Sequence, residues 1–203
     1  MLIRQAAIDD AAAIARVHVD AWRTTYVGIV PDEYLAGLSY DEREEKWRAG
    51  LANPTFGEFT LVAENDSQTI VGFATGGPER EGDTVYRGEL HAIYLLTDAR
   101  RQGVGRRLVS EVARRLLEAG FDSMLVWVLA DNPSRRFYEA LGASFVCDNV
   151  VEIGGARLIE QAWGWPDIQR LLTTNSLTAA KDPPLRKGGQ GGGPPDEKLK
   201  IAK

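Results

Sequence analysis

Residues 98–108 read Asp-Ala-Arg-Arg-Gln-Gly-Val-Gly-Arg-Arg-Leu, at the point where a long amphipathic segment begins. The helix expected there, about 103–119, carries Leu108, Val112 and Leu116 at helical spacing and stops at Gly120. A helix N-terminus already bears about half a positive charge and several unpaired N–H groups. Arg100, Arg101, Arg106 and Arg107 add positive charge to that end, the reverse of what an isolated helix wants. The placement makes sense when the partner is an anion, most simply a ligand phosphate or pyrophosphate. Gly103 and Gly105 suit a tight turn with close backbone approach to such a ligand.

The flanking sequence supplies a frame for that loop. Residues 85–95 read as the strand that feeds it, and 124–129 as a continuous apolar strand covered on both faces. Upstream, residues 2–6 form a short strand, and Asp9 or Asp10 caps a helix running to about Tyr26 with Ile14, Val17 and Ala21 on one face. A short helical piece is expected at 32–38. Ser39, with Glu42 three residues on, is a capping-box pattern for a helix to about Leu51. Strands at 59–64 and 69–75 flank the turn residues 65–68. Downstream, Pro133 opens a short helix carrying Phe137 and Tyr138, and strands at about 144–149 and 157–163 close a domain spanning 1–172. Residues 173–203 are rich in glycine, proline and lysine and too poor in apolar side chains to offset their ordering entropy, so they are expected to form a disordered tail.

Composition narrows the possible functions. The 203-residue chain has a net charge of −5, a poor balance for coating nucleic acid, so the arginine cluster is a local site. A single cysteine, Cys147, rules out an intramolecular disulfide framework and suits a reducing cytoplasm. The N-terminus has no basic leader with a sustained apolar stretch, and no apolar run approaches the ~20 residues needed to cross a bilayer. With two histidines and no cluster of ligand spacing, no metal site is expected. The reading is a cytoplasmic protein with no nucleic-acid or membrane partner, monomeric or a homodimer.

Taken together, Ile93-Tyr94-Leu95, then Arg100-x-x-Gly103-x-Gly105, then Asn132-Pro133-Ser134-Arg135-Arg136-Phe137-Tyr138-Glu139-Ala140-Leu141-Gly142 resemble the GNAT superfamily of acyl-CoA-dependent N-acyltransferases. The order of elements from residue 2 to about 165 matches as well. The resemblance implies an α/β (α+β) fold: a mixed, mostly antiparallel sheet of about seven strands wrapped by helices. It implies acetyl-CoA as cosubstrate and a primary amine, on a small molecule or a peptide, as acceptor. Transfer would then be direct, in a ternary complex.

Residue by residue, the resemblance implies that backbone groups of Ile93, Tyr94 and Leu95 meet the pantetheine arm. The pyrophosphate would lie on Arg101, Gln102, Gly103, Val104, Gly105 and Arg106, with Arg100 opening the motif. Asn132, and Ser134 beyond it, would face the pantetheine or thioester, and Tyr138 would protonate the departing thiolate. The six-residue step from Asn132 to Tyr138 is one shorter than in many members.

Amine attack on a thioester also needs a proton acceptor. Glu89, placed by period-two alternation on one strand face with His91 and Ile93, is the candidate base, and a solvated strand position is its plainer reading. Phe137 and Tyr138, adjacent on a helix, are expected to point to different surroundings. Trp22, Tyr26 and Tyr34 are candidates for an acceptor wall or for plain core. His18 reads as structural, and Arg107, Arg114 and Arg115 as a solvated helix face. Two rivals remain. A nucleotide-binding loop fails because no Gly-Lys-Ser/Thr follows and Leu108 stands where a dinucleotide motif needs its third glycine. The other is a non-catalytic acyl-CoA sensor or interaction module.

Overall fold

The computed structural model describes residues 1–173, so the expected tail lies outside the described residues from position 174 onward. Seven strands form one sheet: β1 (Leu2–Gln5), β2 (Phe59–Glu64), β3 (Ile70–Pro78), β4 (Gly88–Leu95), β5 (Met124–Leu129), β6 (Ser144–Ile153) and β7 (Ala156–Trp165). Their spatial order is β1-β2-β3-β4-β5-β7-β6. Each neighbouring pair is antiparallel except β4 and β5. The mixed sheet is the architecture expected from the sequence.

Helices cover both faces, and the period of two in the strands sorts side chains between them. Leu61 and Ala63 of β2 pack with Leu108, Val109, Val112 and Leu116 of α4 (Val104–Glu118). Val62 points the other way and packs with Ile14 and Val17 of α1 (Ala11–Thr25) and Trp47 of α3 (Tyr40–Ala52). A third cluster joins Trp22 and Tyr26 to Leu35 of α2 (Asp32–Ala36), Leu129 and Ile153. Two short helices complete the described chain, α5 (Arg135–Ala140) and α6 (Arg170–Thr173).

Local chemistry accounts for most element ends. Ser39 Oγ accepts from the Glu42 amide, as the capping box requires. Asn65 Oδ1 accepts from the amides of Ser67 and Thr69 and closes the β2–β3 turn. Two expectations are corrected. Neither Asp9 nor Asp10 caps α1. A 3-10 turn at Ile8–Asp10 precedes it, and the Asp10 carboxylate reaches back to the Ala7 amide at 2.7 Å and to Arg4. β4 starts at Gly88 rather than Val85, because Asp83 Oδ1 captures the amides of Val85 and Tyr86 in a turn.

One irregularity shapes everything near the site. Across β3, Ala92 pairs with Thr75 and Leu90 with Gly76, leaving His91 as an extra residue in β4. The bulge switches faces. Leu90 packs with the α4 cluster, whereas Ala92, two residues on, packs with the α1–α3 cluster, and Ile93 joins the α4 side. The expectation that Glu89, His91 and Ile93 share one face therefore fails at the bulge.

The α4–sheet contact is close at Gly76, where a Cβ would fall 2.7 Å from Val112 Cγ1 and 3.1 Å from Phe59 Cζ. Val112 is fully buried and has no space to retreat into. Gly76→Ala should cost about 1–3 kcal/mol of stability by overpacking, read from the midpoint of urea unfolding.

Candidate active site

The parallel pairing of β4 and β5 ends almost where it begins, with Gly88 opposite Met124 and Glu89 opposite Leu125. Beyond that point β4 stays paired to β3 through Leu95, and β5 stays paired to β7 through Leu129. The two arms diverge, and a cavity of about 560 Å³ fills the fork. One arm supplies Ala92, Ile93, Tyr94 and Leu95, and the other supplies Val126, Trp127, Val128 and Leu129. Between them β4 turns one edge of its backbone donors and acceptors toward the cavity, where an extended chain can pair with it.

At the open end of β4 the arginine–glycine loop folds into two left-handed residues, Arg101 (φ 59°) and Gly103 (φ 79°). A non-glycine residue in that region is strained, and such strain concentrates where a loop is shaped for a ligand. α4 starts at Val104, with the Arg107 amide donating to the Gly103 carbonyl. The amides of the first turn have no intrahelical partner and form an anion-binding concavity. Gly105 closes the loop onto the cavity wall, since a Cβ there would meet Phe137 Cζ at 3.3 Å and Leu95 Cδ1 at 3.4 Å.

The four arginines separate by their partners. Arg101 and Arg106 line the cavity. Arg100 also lines it, but its guanidinium is turned inward: it donates to the Leu95 carbonyl at 3.3 Å and to Thr25 Oγ1 at 2.9 Å, tying α1 to the loop. Arg107 leaves the site altogether: it is exposed, as expected, and donates to the Met1 carbonyl at 3.2 Å. Arg114 and Arg115 form the surface ion pairs expected of a solvated helix face. Gln102 and Val104 do not line the cavity. The Gln102 side chain donates to the Asp98 carbonyl at 2.6 Å, and the Val104 side chain is core, so only their backbone amides can serve an anion.

Tyr138 lines the cavity and is 6% exposed, with its ring against Phe137 at 5.4 Å and Trp165 at 6.2 Å. Phe137 lines the same cavity, against the expectation that the two rings face apart. Burial pushes the Tyr138 phenol well above its ordinary range, with the nearby Tyr26 adding to the effect. The Tyr26 hydroxyl is hydrogen-bonded to Tyr94 and to Asn132, and burial raises it as well. Burial likewise lifts Tyr94 far up, so three neutral phenols converge on the fork. The sequence pointed to Tyr94 only for its backbone. Its side-chain role follows from the bulge, which turns it toward α1.

Asn132 is buried and its Oδ1 accepts from the Ser134 amide at 2.9 Å, which folds the turn into α5. Both residues line the cavity. Trp22 and Tyr26 line it too, so the end of α1 does form a wall, while Tyr34 stacks behind Trp22 at 5.9 Å.

Glu89 sits at the last paired position of the fork and is 2% exposed. Arg80 holds it with Nε at 3.0 Å from Oε2 and an Nη at 2.5 Å from Oε1. The solvated-strand alternative is excluded by that burial. His91 Nε2 lies 3.1 Å from the Pro78 carbonyl and 3.9 Å from Glu89, and its Nδ1 is 3.6 Å from Glu58. Cys147 does not line the cavity. Burial raises its thiol, and Asp83, Asp148, Glu81 and Glu160 raise it further.

The comparisons with known proteins agree with this geometry. The acetyltransferase (GNAT) family matches residues 16–143, and the chain belongs to it. An uncharacterized N-acetyltransferase of Bacillus subtilis, YuaI, is 45% identical over 171 residues, 84% of this chain and 96% of that protein. A probable N-acetyltransferase of Mycobacterium tuberculosis, Rv2775, is 29% identical over 68% of this chain and 76% of its own. Among solved structures, YncA of Salmonella typhimurium, determined with its cofactor acetyl-CoA, has a TM-score of 0.62 at 22% identity, covering 90% of this chain and 98% of its own. The PaiA N-acetyltransferase of Thermoplasma acidophilum, in complex with coenzyme A, has a TM-score of 0.57 at 21% identity, covering 79% and 96%.

His18 backs the Tyr94 wall, stacked on it at 4.9 Å and accepting from Trp47 Nε1 at 3.3 Å. Burial, with help from Arg43, holds its imidazole well below the usual 6.5. The unfolded chain therefore takes up a proton that the folded one refuses once pH falls through about 6.5. Stability should decline below that pH, by at most about 1.4 kcal/mol per pH unit from this group. His18→Asn, which keeps an acceptor for Trp47, should flatten the dependence between pH 6.5 and 5 in urea titrations compared with the unmodified chain.

Proposed function

We propose that residues 1–172 form a cytoplasmic N-acetyltransferase domain that moves the acetyl group of acetyl-CoA directly to a primary amine in a ternary complex. The observation that carries the reading is the fork. An unpaired strand edge, an arginine-bearing helix N-terminus and a buried phenol meet in one cavity. Acetyl-CoA fits these residues part by part. The edge at Ile93–Leu95 suits the amide-bearing pantetheine arm, and the left-handed loop with Arg101 and Arg106 suits the pyrophosphate. A single cysteine supports the cytoplasmic assignment.

The roles follow from charge and position. Glu89 takes the proton of the incoming amine, directly or through one water, using carboxylate lone pairs that Arg80 leaves open. A backbone N–H of β4 meets the oxyanion that develops on the thioester carbonyl. Tyr138, held neutral by burial, donates toward the departing sulfur. Asn132 and Tyr26 fix the wall beside it through their mutual hydrogen bond. Overall, N–C and S–H bonds form while S–C and N–H bonds break, and exchange with water takes the proton from Glu89 and restores the one lost by Tyr138.

Free-thiol release from acetyl-CoA across polyamines, amino acids, aminoglycosides and peptide N-termini tests the reaction. Turnover with at least one amine supports it. The absence of both turnover and acetyl-CoA binding by calorimetry overturns it, and saturable binding without amine-dependent thiol release favours the sensor module. Tyr138→Phe should lower kcat about 10²-fold or more while acetyl-CoA affinity stays within about twofold. An unchanged kcat would remove Tyr138 from the chemistry. Replacing Arg101 and Arg106 together by alanine should weaken CoA binding about tenfold or more through lost charge-assisted contacts. Binding of a pantetheine fragment without phosphates should change little, and equal losses for both ligands would refute the phosphate assignment.

A further inference from the structure

One aromatic ring stands beside the carboxylate at the crotch of the fork. β4 and β5 last pair at Glu89 and Leu125. Val126 and Val128 pack on the α4 side, so the alternate residues Leu125 and Trp127 point to the opposite side, where Leu129 meets Trp22 and Tyr26 of α1. Glu89 points to that side too, because its neighbour Leu90 packs with α4. Trp127 is therefore the first β5 side chain past the last pairing on the face that carries Glu89, about 6–7 Å further along the strand. Both residues line the cavity.

The other aromatic residues of the cavity are engaged elsewhere. Trp22, Tyr26 and Tyr138 are buried. Tyr94 stacks on His18 at 4.9 Å, and Phe137 lies at the loop end against Gly105. Trp127 is partly exposed, yet its Nε1 is covered and has no partner. What the cavity meets is therefore the indole ring and not its N–H. An unpartnered buried N–H is a cost that phenylalanine at the same place would avoid. What indole offers over a phenyl ring is a larger face, with the strongest attraction for a cation among the aromatic side chains.

An aliphatic amine arrives at neutral pH as an ammonium. At Glu89 it meets a carboxylate whose two oxygens already hold Arg80, and which therefore attracts it less than a free carboxylate would. Resting on the acetyltransferase reading, we propose that Trp127 is a specificity-determining residue for the acceptor: its indole face receives the ammonium beside Glu89 through a cation–π contact. The contact favours a charged amine over a neutral alcohol of the same shape. It acts on the ammonium before the proton leaves, so it shows in KM more than in kcat.

The test uses the full chain loaded with CoA, which lacks the acetyl group, and two probes of one shape: n-butylamine, charged at neutral pH, and 1-butanol, which is neutral. Calorimetry should show butylammonium binding about fivefold or more tighter than the alcohol. Site-specific replacement of Trp127 by mono-, di- and trifluorotryptophan, with the other tryptophans unchanged, withdraws π density and leaves the shape almost unaltered. The Kd of butylammonium should rise at each step, by about fivefold across the series, while those of CoA and 1-butanol stay within about twofold. Packing alone would leave the series flat. Trp127→Leu should lose as much as the trifluoro form, and where that variant fails to fold by circular dichroism the fluorinated series decides. For any amine that turns over, KM should rise along the series and kcat should stay within about threefold. A flat series, equal binding of the two probes, no binding of butylammonium, or a fall in kcat at constant KM overturns the inference and leaves the acetyltransferase reading standing. No thiol release with any amine and no acetyl-CoA binding overturns both.

Discussion

Two parallel strands that pair for only two residues are the constraint on which the rest of this structure depends. β4 and β5 meet at Gly88–Met124 and Glu89–Leu125 and then part. Neither can bend to follow the other, because β3 holds β4 to Leu95 and β7 holds β5 along its whole length. The His91 bulge adds local twist to β4 at the point of separation. A sheet that forks in its middle exposes a strand edge inside the protein, where unpaired backbone groups are costly. An extended ligand with its own amides relieves that cost, and so the fork selects the shape of the ligand before any side chain selects its chemistry.

Much of this was legible in the chain because it is local. The arginine–glycine loop, the Ser39 cap and the Asn65 turn each depend on residues within a few positions of one another. The order of elements followed from hydrophobic period and from Gly and Pro punctuation. What escaped depended on a distant strand or on competition for a side chain. The bulge is visible only against β3, and it reassigned Ile93 and Tyr94 to opposite faces. Asp83 outcompeted the sheet for two amides and shortened β4. Arg107 is exposed as read, but its partner, the carbonyl of Met1, lies more than a hundred residues away in sequence and left no local sign.

The loop also shows why charge counting alone misassigns a phosphate site. Four arginines surround two glycines, but each guanidinium is governed by what lies within its reach. Arg100 satisfies itself on Leu95 and Thr25, and Arg107 on Met1. Removing either would disturb the joints between the loop and its neighbours, so a binding defect there would not by itself identify a ligand contact. Arg101 and Arg106 are different in kind. They line the cavity beside the unpaired amides of α4, and a phosphate placed there would meet side-chain and backbone donors together.

Burial acts in opposite directions on the groups around the fork, and that opposition gives the site its polarity. The phenols of Tyr26, Tyr94 and Tyr138 are driven toward their neutral forms, so they act as donors at any working pH. His18 is neutral for the same reason and serves as packing behind Tyr94. Glu89 is as buried as any of them, yet both its oxygens are engaged by the Arg80 guanidinium. A phenol kept neutral and a carboxylate paired with a guanidinium therefore share one fork. The proposed transfer, which takes a proton from nitrogen and presents one to sulfur, draws on both groups.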